Sequence, residues 1–351
     1  MNPPIRRSLL LPLALALSGC ATTEYYAQAI CGQWEIWSRS RPIAEVMADA
    51  ALDPAVRAKL EEALAARRYA SEFLSLPDNG SYAAYADLKR PYVVWNVFAA
   101  PPLSLEPRRS CFPVAGCVIY RGYFAERDAE SHAAGLGAAG DDVYVAGVAA
   151  YSTLGWFDDP VLNTVLHYDN ADLAGLIFHE LAHQVVYVRD DSRFNESFAT
   201  VVEEEGVRRY LAATVGEAAL ARYRERQRFE EEFLALALRY RDRLASLYEG
   251  GDSPEAKLRG KQELLAELQE RLKPLAQRLP RSRLLRRWTT ETLGNAHLAS
   301  VAAYHDLAPA FRVLLAREGG DLPRFYRAVK KLAALPPAER DARLEAVIGN
   351  Q

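Results

Sequence analysis

The chain has 351 residues, half of them apolar, with 43 basic and 46 acidic side chains and a formal net charge of -3. That apolar content excludes a disordered or collagen-like polypeptide, and the near-neutral balance excludes electrostatically driven nucleic-acid binding, which needs a clear basic excess. The length suits one large domain or two modest ones of roughly 100 to 200 residues each.

In chain order, the first segment reads as an export signal. Arg6 and Arg7 form a charged n-region, and residues 9–17 form a short apolar run. A bilayer span needs about 20 apolar residues, so this run does not cross. Leu17-Ser18-Gly19-Cys20 resembles a lipobox. That resemblance implies removal of residues 1–19 and acylation of Cys20, with several acyl chains giving firmer anchoring than one. Ala21, rather than Asp, follows the cysteine; by resemblance to bacterial lipoproteins this implies an outer-membrane anchor facing the periplasm. Cys31, Cys111 and Cys117 remain, and an exported chain meets an oxidising compartment. Cys111 and Cys117 flank a Pro- and Gly-containing loop and are the expected disulfide, with Cys31 as a rival partner.

Residues 41–75 carry helical periodicity at Val46, Leu52, Val56, Leu60 and Leu64, with Pro42 and Asp53-Pro54 as start signals. From about 77 to 160 the runs 92–98, 118–120 and 143–148 are rich in strand formers and are separated by turns, which predicts a small sheet. From Asp172 onward the pattern is almost wholly helical, with long amphipathic helices over 231–248 and 255–279 broken at Gly250-Gly251. The expected fold is α+β and predominantly helical, with a small mixed sheet. Residues 20–216 form a catalytic region, and residues 217–351 form a long helical C-terminal region packed on it.

The chemistry concentrates in Leu176-Ile177-Phe178-His179-Glu180-Leu181-Ala182-His183-Gln184, an H-E-x-x-H pattern in a segment that can start a helix near Asp172. Residues four apart share a helical face, so His179 and His183 can offer two imidazoles to one ion. One zinc per chain is expected, with three protein ligands and one open position. Glu180 beside the first ligand is the expected general base. Phe178, Leu181 and Ala182 make the helix apolar enough to bury, and ionisable side chains are costly there without a partner.

The third ligand is not given by spacing. Val186 and Arg189 stand where a third-histidine pattern would place Gly and His. The spacing of the best-known glutamate zincins lands on Val202. Glu196 and Glu203 are both open candidates.

Asn195-Glu196-Ser197-Phe198-Ala199 resembles the Asn-Glu-Gly-Phe-Ala signature by which glutamate-zincin aminopeptidases supply their third ligand. Together with Tyr92-Val93-Val94-Trp95-Asn96, Tyr120-Arg121-Gly122-Tyr123-Phe124 and Leu154-Gly155-Trp156-Phe157-Asp158-Asp159-Pro160, the chain is similar to a family of bacterial lipoproteins described as predicted aminopeptidases. The resemblance runs from about residue 20 to the C-terminal helices, including Asn295-Ala296 and Tyr304. It implies a zincin-like core, Glu196 as third ligand and metallopeptidase activity. Glu203, seven residues on, is expected to orient a ligand imidazole or to belong to a solvated acidic run.

An oxyanion donor is also needed. By analogy with zincins that use Tyr or His, Tyr304 is the chosen candidate, with His305, Tyr144 and Tyr151 as alternatives. The strand 143–148 can align a peptide by edge addition. Asp158 or Asp159 can pair with a substrate ammonium or simply shape the turn before Pro160. His132 and His167 read as structural. Arg281, Arg283, Arg286 and Arg287 read as a solvated face, with anionic lipid as the alternative. The expected function is a membrane-anchored zinc metallopeptidase, an aminopeptidase, acting on peptides and sharing the envelope with protein partners. The runner-up is a zincin-shaped envelope chaperone or assembly factor with little turnover.

Overall fold

The computed structural model describes residues 10–112, 116–150, 152–280, 282–305 and 307–349; within these, the side chains of 10–22, 302–305 and 348–349 are not described. The elements in chain order are α1 (Leu10–Arg39), β1 (Arg41–Pro42), α2 (Ile43–Met47), α3 (Pro54–Leu74), β2 (Ala84–Ala86), β3 (Val94–Ala100), β4 (Ser110–Phe112), β5 (Gly116–Val118), β6 (Tyr120–Tyr123), α4 (Glu126–Ala138), β7 (Asp142–Val148) and β8 (Val161–Leu162). The helical remainder is α5 (Asn170–Val185), α6 (Ser192–Thr214), α7 (Glu217–Glu249), α8 (Pro254–Arg278), α9 (Arg283–Thr290), α10 (Asn295–His305), α11 (Ala308–Arg317), α12 (Leu322–Ala333) and α13 (Pro337–Gly349). The fold is α+β and predominantly helical. Among the described residues no helix is long and apolar enough to cross a membrane.

The strand-forming residues are divided among three small sheets: antiparallel β6-β3-β7, mixed β1-β2-β8, and the hairpin β4-β5. The run 118–120, expected as one strand, is split at Ile119. Val118 pairs with Ser110 in the hairpin, whereas Tyr120 pairs with Phe98 of β3. One strand cannot serve both partners, so the chain bends between them. Cys111 and Cys117 face each other in the hairpin and form a disulfide, and Cys31 is an exposed free thiol. The hairpin leans on the turn between α5 and α6, where Asp190 Oδ1 accepts from the Cys117 amide at 2.5 Å.

α5 begins two residues earlier than Asp172 suggests. Asp169 is the cap, accepting from the Asp172 amide at 2.9 Å, and Asp172 sits in the first turn, where a carboxylate suits the positive end of the helix. α6 is capped by Asp191, which accepts from the Phe194 amide at 3.0 Å and also holds the buried Arg340 guanidinium. The turn between the helices is pinned from inside. Buried Asn195 accepts from the Val188 amide and donates to the Val188 carbonyl, both at 2.7 Å, so one side chain satisfies the two backbone groups left by the chain reversal.

α5 and α6 pack on α3, α11 and α12 in the largest apolar cluster, which includes Phe178, Phe194, Phe198, Phe311 and Phe325, all fully buried. Their close approach depends on glycine. A Cβ on Gly206 of α6 would meet the Phe178 ring at 2.7 Å and Leu74 at 2.9 Å; one on Gly175 of α5 would meet Glu203 at 3.0 Å. A second cluster joins α7, α8, α9 and α10 around Trp288.

Gly206→Val should therefore push α6 off α5. Overpacking of this kind costs about 1–3 kcal/mol. A lower thermal unfolding midpoint than wild type, with Gly135→Ala, where a Cβ meets nothing within 4 Å, as the open-space glycine control for added bulk, checks this.

Candidate metal centre and active site

α5 and α6 bring four of the expected residues together. His179 Nε2 lies 3.3 Å from Glu196 Oε2, and His183 Nε2 lies 3.8 Å from the same oxygen. The ligand atoms of His179, His183 and Glu196 all fall within 4.8 Å of one another. Tetrahedral zinc with bonds near 2.0–2.1 Å requires ligand atoms roughly 3.3 Å apart, and this triad has that scale.

The hydrogen bonding supports a cation there. Glu203 Oε2 stands 3.0 Å from His179 Nδ1, so it accepts the ring N–H at that nitrogen. In the neutral imidazole, Nε2 then turns a lone pair toward the Glu196 carboxylate, and two lone pairs repel unless a cation or a second proton lies between them. Without metal the ring answers by holding a proton. Burial alone would push the His179 imidazole down, but Glu196 and Glu203 at its two nitrogens hold it well above its usual value. His183 behaves differently. Burial pushes it down to about 4 against the pull of Glu196, and its Nδ1 is buried without a partner. It presents a neutral ring, the state a metal ligand requires. Burial would raise Glu196, but His183 and His179 hold it below its usual range, so it stands as a carboxylate. The donor set thus fits a divalent ion, with Glu203 orienting the first imidazole in the way carboxylates orient metal-bound histidines.

Glu180 is buried in the same wall. Its burial raises its carboxyl to about 8 against the opposing pull of His179. The triad and Glu180 open on a cavity of about 1460 Å³. One wall is the sheet β6-β3-β7, which presents Tyr120, Asn96, Tyr144 and Ala146; another is α1, through Tyr25, Ala29 and Gln33. Asn96 sits in register between Gly122 and Ala146, small neighbours that leave its amide room. A third region is acidic, with Asp172, Glu203, Glu204 and Glu230 around Arg226. Arg226 pairs with Asp169 and Asp172, and Glu204 forms two hydrogen bonds with Arg312. Among the described residues Glu230 has only a long contact to Arg226, at 3.7 Å; its side chain is 60% exposed, and partial desolvation beside the carboxylates of Glu203, Asp172 and Glu204 raises it to about 7.

Other sequence candidates are distributed differently. Tyr304 belongs to α10 by its backbone, but its side chain and that of His305 lie outside the described residues, as do Tyr151 and Arg281 entirely and the side chain of Cys20. Tyr144 lines the cavity, its ring packed at a tilt against His297 with centroids 4.2 Å apart. Asp158 and Asp159 do not line it. Asp159 is buried and accepts from the Thr153 amide at 2.9 Å, which shapes the loop before Pro160. His132 packs on Tyr123. His167 does line the cavity, as do Arg283, Arg286 and Arg287, which the helical pattern alone leaves as a solvated face. Tyr120 is the notable omission. It faces the cavity, and Glu196 and Glu180 are among the charges that act on its hydroxyl, which burial holds well above the usual range. Its only sequence signal is its place in the 120–124 motif.

Against known protein families, residues 24–344 match one described as "Putative aminopeptidase". The chain belongs to this family. No curated protein and no solved structure matches it.

The two glutamates around His179 should separate in a metal titration. Glu196→Ala should abolish binding of an added divalent ion, whereas Glu203→Ala, which removes only the orienting partner, should weaken it about 10–100-fold. Metal content after dialysis against graded chelator reads both.

Proposed function

We propose that this family member is a zinc-dependent aminopeptidase, tethered by acylated Cys20 to a bacterial envelope membrane, on the outer membrane facing the periplasm. The observation that carries the peptidase reading is the convergence of His179, His183 and Glu196 beside Glu180 on one cavity. When bound, a divalent ion at that triad supplies Lewis-acid polarisation of a carbonyl and an acidified water.

The chain's own residues supply the rest. Glu180 accepts the proton of the attacking water and passes it to the leaving amine. A buried carboxylate with a raised proton affinity suits both halves of that transfer. Glu203 keeps His179 in one tautomer and orientation. Tyr120 offers a hydroxyl to the oxygen on which negative charge develops. The acidic wall, with Glu230 its least paired carboxylate, suits the free ammonium of a peptide N-terminus, and β7, an edge strand of its sheet, gives the backbone an extended partner.

Glu180→Gln should keep its metal and its fold while losing on the order of 10²–10⁴-fold in turnover, the range for a lost general base. A variant that retains metal and full turnover would remove Glu180 from the chemistry.

The terminus preference is tested with a peptide and its N-acetylated twin, the products being read by mass spectrometry. Single N-terminal residues should be released from the free peptide only. Glu230→Gln should raise KM about tenfold, the scale of one charge-assisted hydrogen bond. Equal cleavage of both peptides at internal bonds would make the enzyme an endopeptidase.

A further inference from the structure

α1 shows three different environments around its circumference. Ile36 is buried and Gly32 lies against the Phe124 ring, which docks the helix on the body. Tyr25, Ala29 and Gln33 line the catalytic cavity. The third stripe, Ile30, Trp34 and Trp37, follows the i, i+4, i+7 spacing of one helical face and is exposed, Ile30 by 69% and Trp34 by 67%. Trp37 extends the stripe across to the loop after β7, its ring 4.5 Å from that of Phe157. The next residue in that loop, Trp156, is 70% exposed. Five large apolar side chains, three of them tryptophans, thus lie open on adjoining segments. Contiguous apolar exposure of this kind marks an interaction surface.

We infer that this aromatic face rests in the headgroup region of the bilayer that holds the anchor. The inference depends on the tethered reading of Cys20. Ile30 lies ten residues from Cys20 on the same helix, a rise of about 15 Å, and Trp37 about 26 Å, so an acylated Cys20 brings the stripe to the membrane surface with α1 lying along it. The composition suits that place: tryptophan, with an apolar ring and a polar N–H, concentrates at membrane–water interfaces. Arg41, exposed and without an ion pair among the described residues, follows the stripe and suits anionic headgroups. Leu154, of the same loop as Trp156, lines the cavity. The face and the cavity therefore share a border, and the cavity takes substrate from the layer just above the bilayer.

The test uses tryptophan emission. Trp95 and Trp288, the two remaining tryptophans, are buried at 5% and 0% exposure. Lipid quenching therefore reports Trp34, Trp37 and Trp156. The full chain, expressed with labelled palmitate, is reconstituted into phosphatidylethanolamine–phosphatidylglycerol vesicles carrying brominated acyl chains. The expected result is strong quenching in the tethered protein and loss of most of it in the Trp34→Gln, Trp156→Gln double variant, which still floats with the vesicles. Palmitate-labelled protein that floats but is quenched only by aqueous acrylamide overturns the inference. So does emission shielded from both quenchers, which would mean that protein covers the face. Absence of the palmitate label overturns the anchor alone. The aromatic face is then judged on the same chain and on Cys20→Ala with added vesicles at millimolar lipid, where unchanged emission overturns it and weak quenching supports it.

Discussion

The seam between α5 and α6 carries the constraint from which the rest of the active region follows. The His179 ring of α5 and the Glu196 carboxylate of α6 meet at 3.3 Å across it. Here the absence of a Cβ at Gly175 and Gly206 lets the helices close, and Asn195 fixes the angle of the reversal by satisfying both backbone groups of Val188. The phenylalanines of the apolar cluster then lock the seam from the far side. Burying ionisable groups at such a seam costs several kcal/mol per uncompensated charge. Their arrangement divides that cost: His183 stays neutral, the Glu196 carboxylate faces one nitrogen of His179, and Glu203 accepts from the other. A divalent ion would resolve the remaining conflict between a ring lone pair and a carboxylate, and the same ion would add to folding stability through its binding.

The cavity is built by elements outside that seam. The β6-β3-β7 sheet, α1 and the α7–α9 region each present a face to it, and these pack largely in apolar clusters other than the one under the metal centre. The floor that carries the candidate metal centre and the walls of the cavity therefore rest on different cores.

How much of this was legible in the sequence follows from how local each feature is. H-E-x-x-H is readable because helical spacing alone puts two imidazoles on one face. The helix of Glu196 was readable from the turn preceding it. The choice between Glu196 and Glu203 was not readable from spacing, because both lie on the same side of α6, and rested on the 195–199 resemblance alone; the structure places one at each nitrogen of the same ring. Tyr120 and His167 were missed as site residues because a strand and a loop reach the cavity through pairings distant in sequence. Arg283 and Arg286 look like any solvated helix face until the cavity is seen beside them. The split at Ile119 was hidden for a related reason: strand propensity tells that a segment is extended, not which neighbour it serves.

The candidate ligands His179 and Glu196 are seventeen positions apart and come from a single helical hairpin, whereas the residues that frame the cavity range from Tyr25 to Arg287. The part of the molecule that could hold an ion is thus a contiguous cassette, and the walls around it are scattered over the chain. Changes accumulating in the walls can alter substrate choice without disturbing the hairpin, and a hairpin of this kind can persist while its surroundings diverge beyond recognition. Descent in such a lineage would be traced most durably through the short span from α5 to the start of α6.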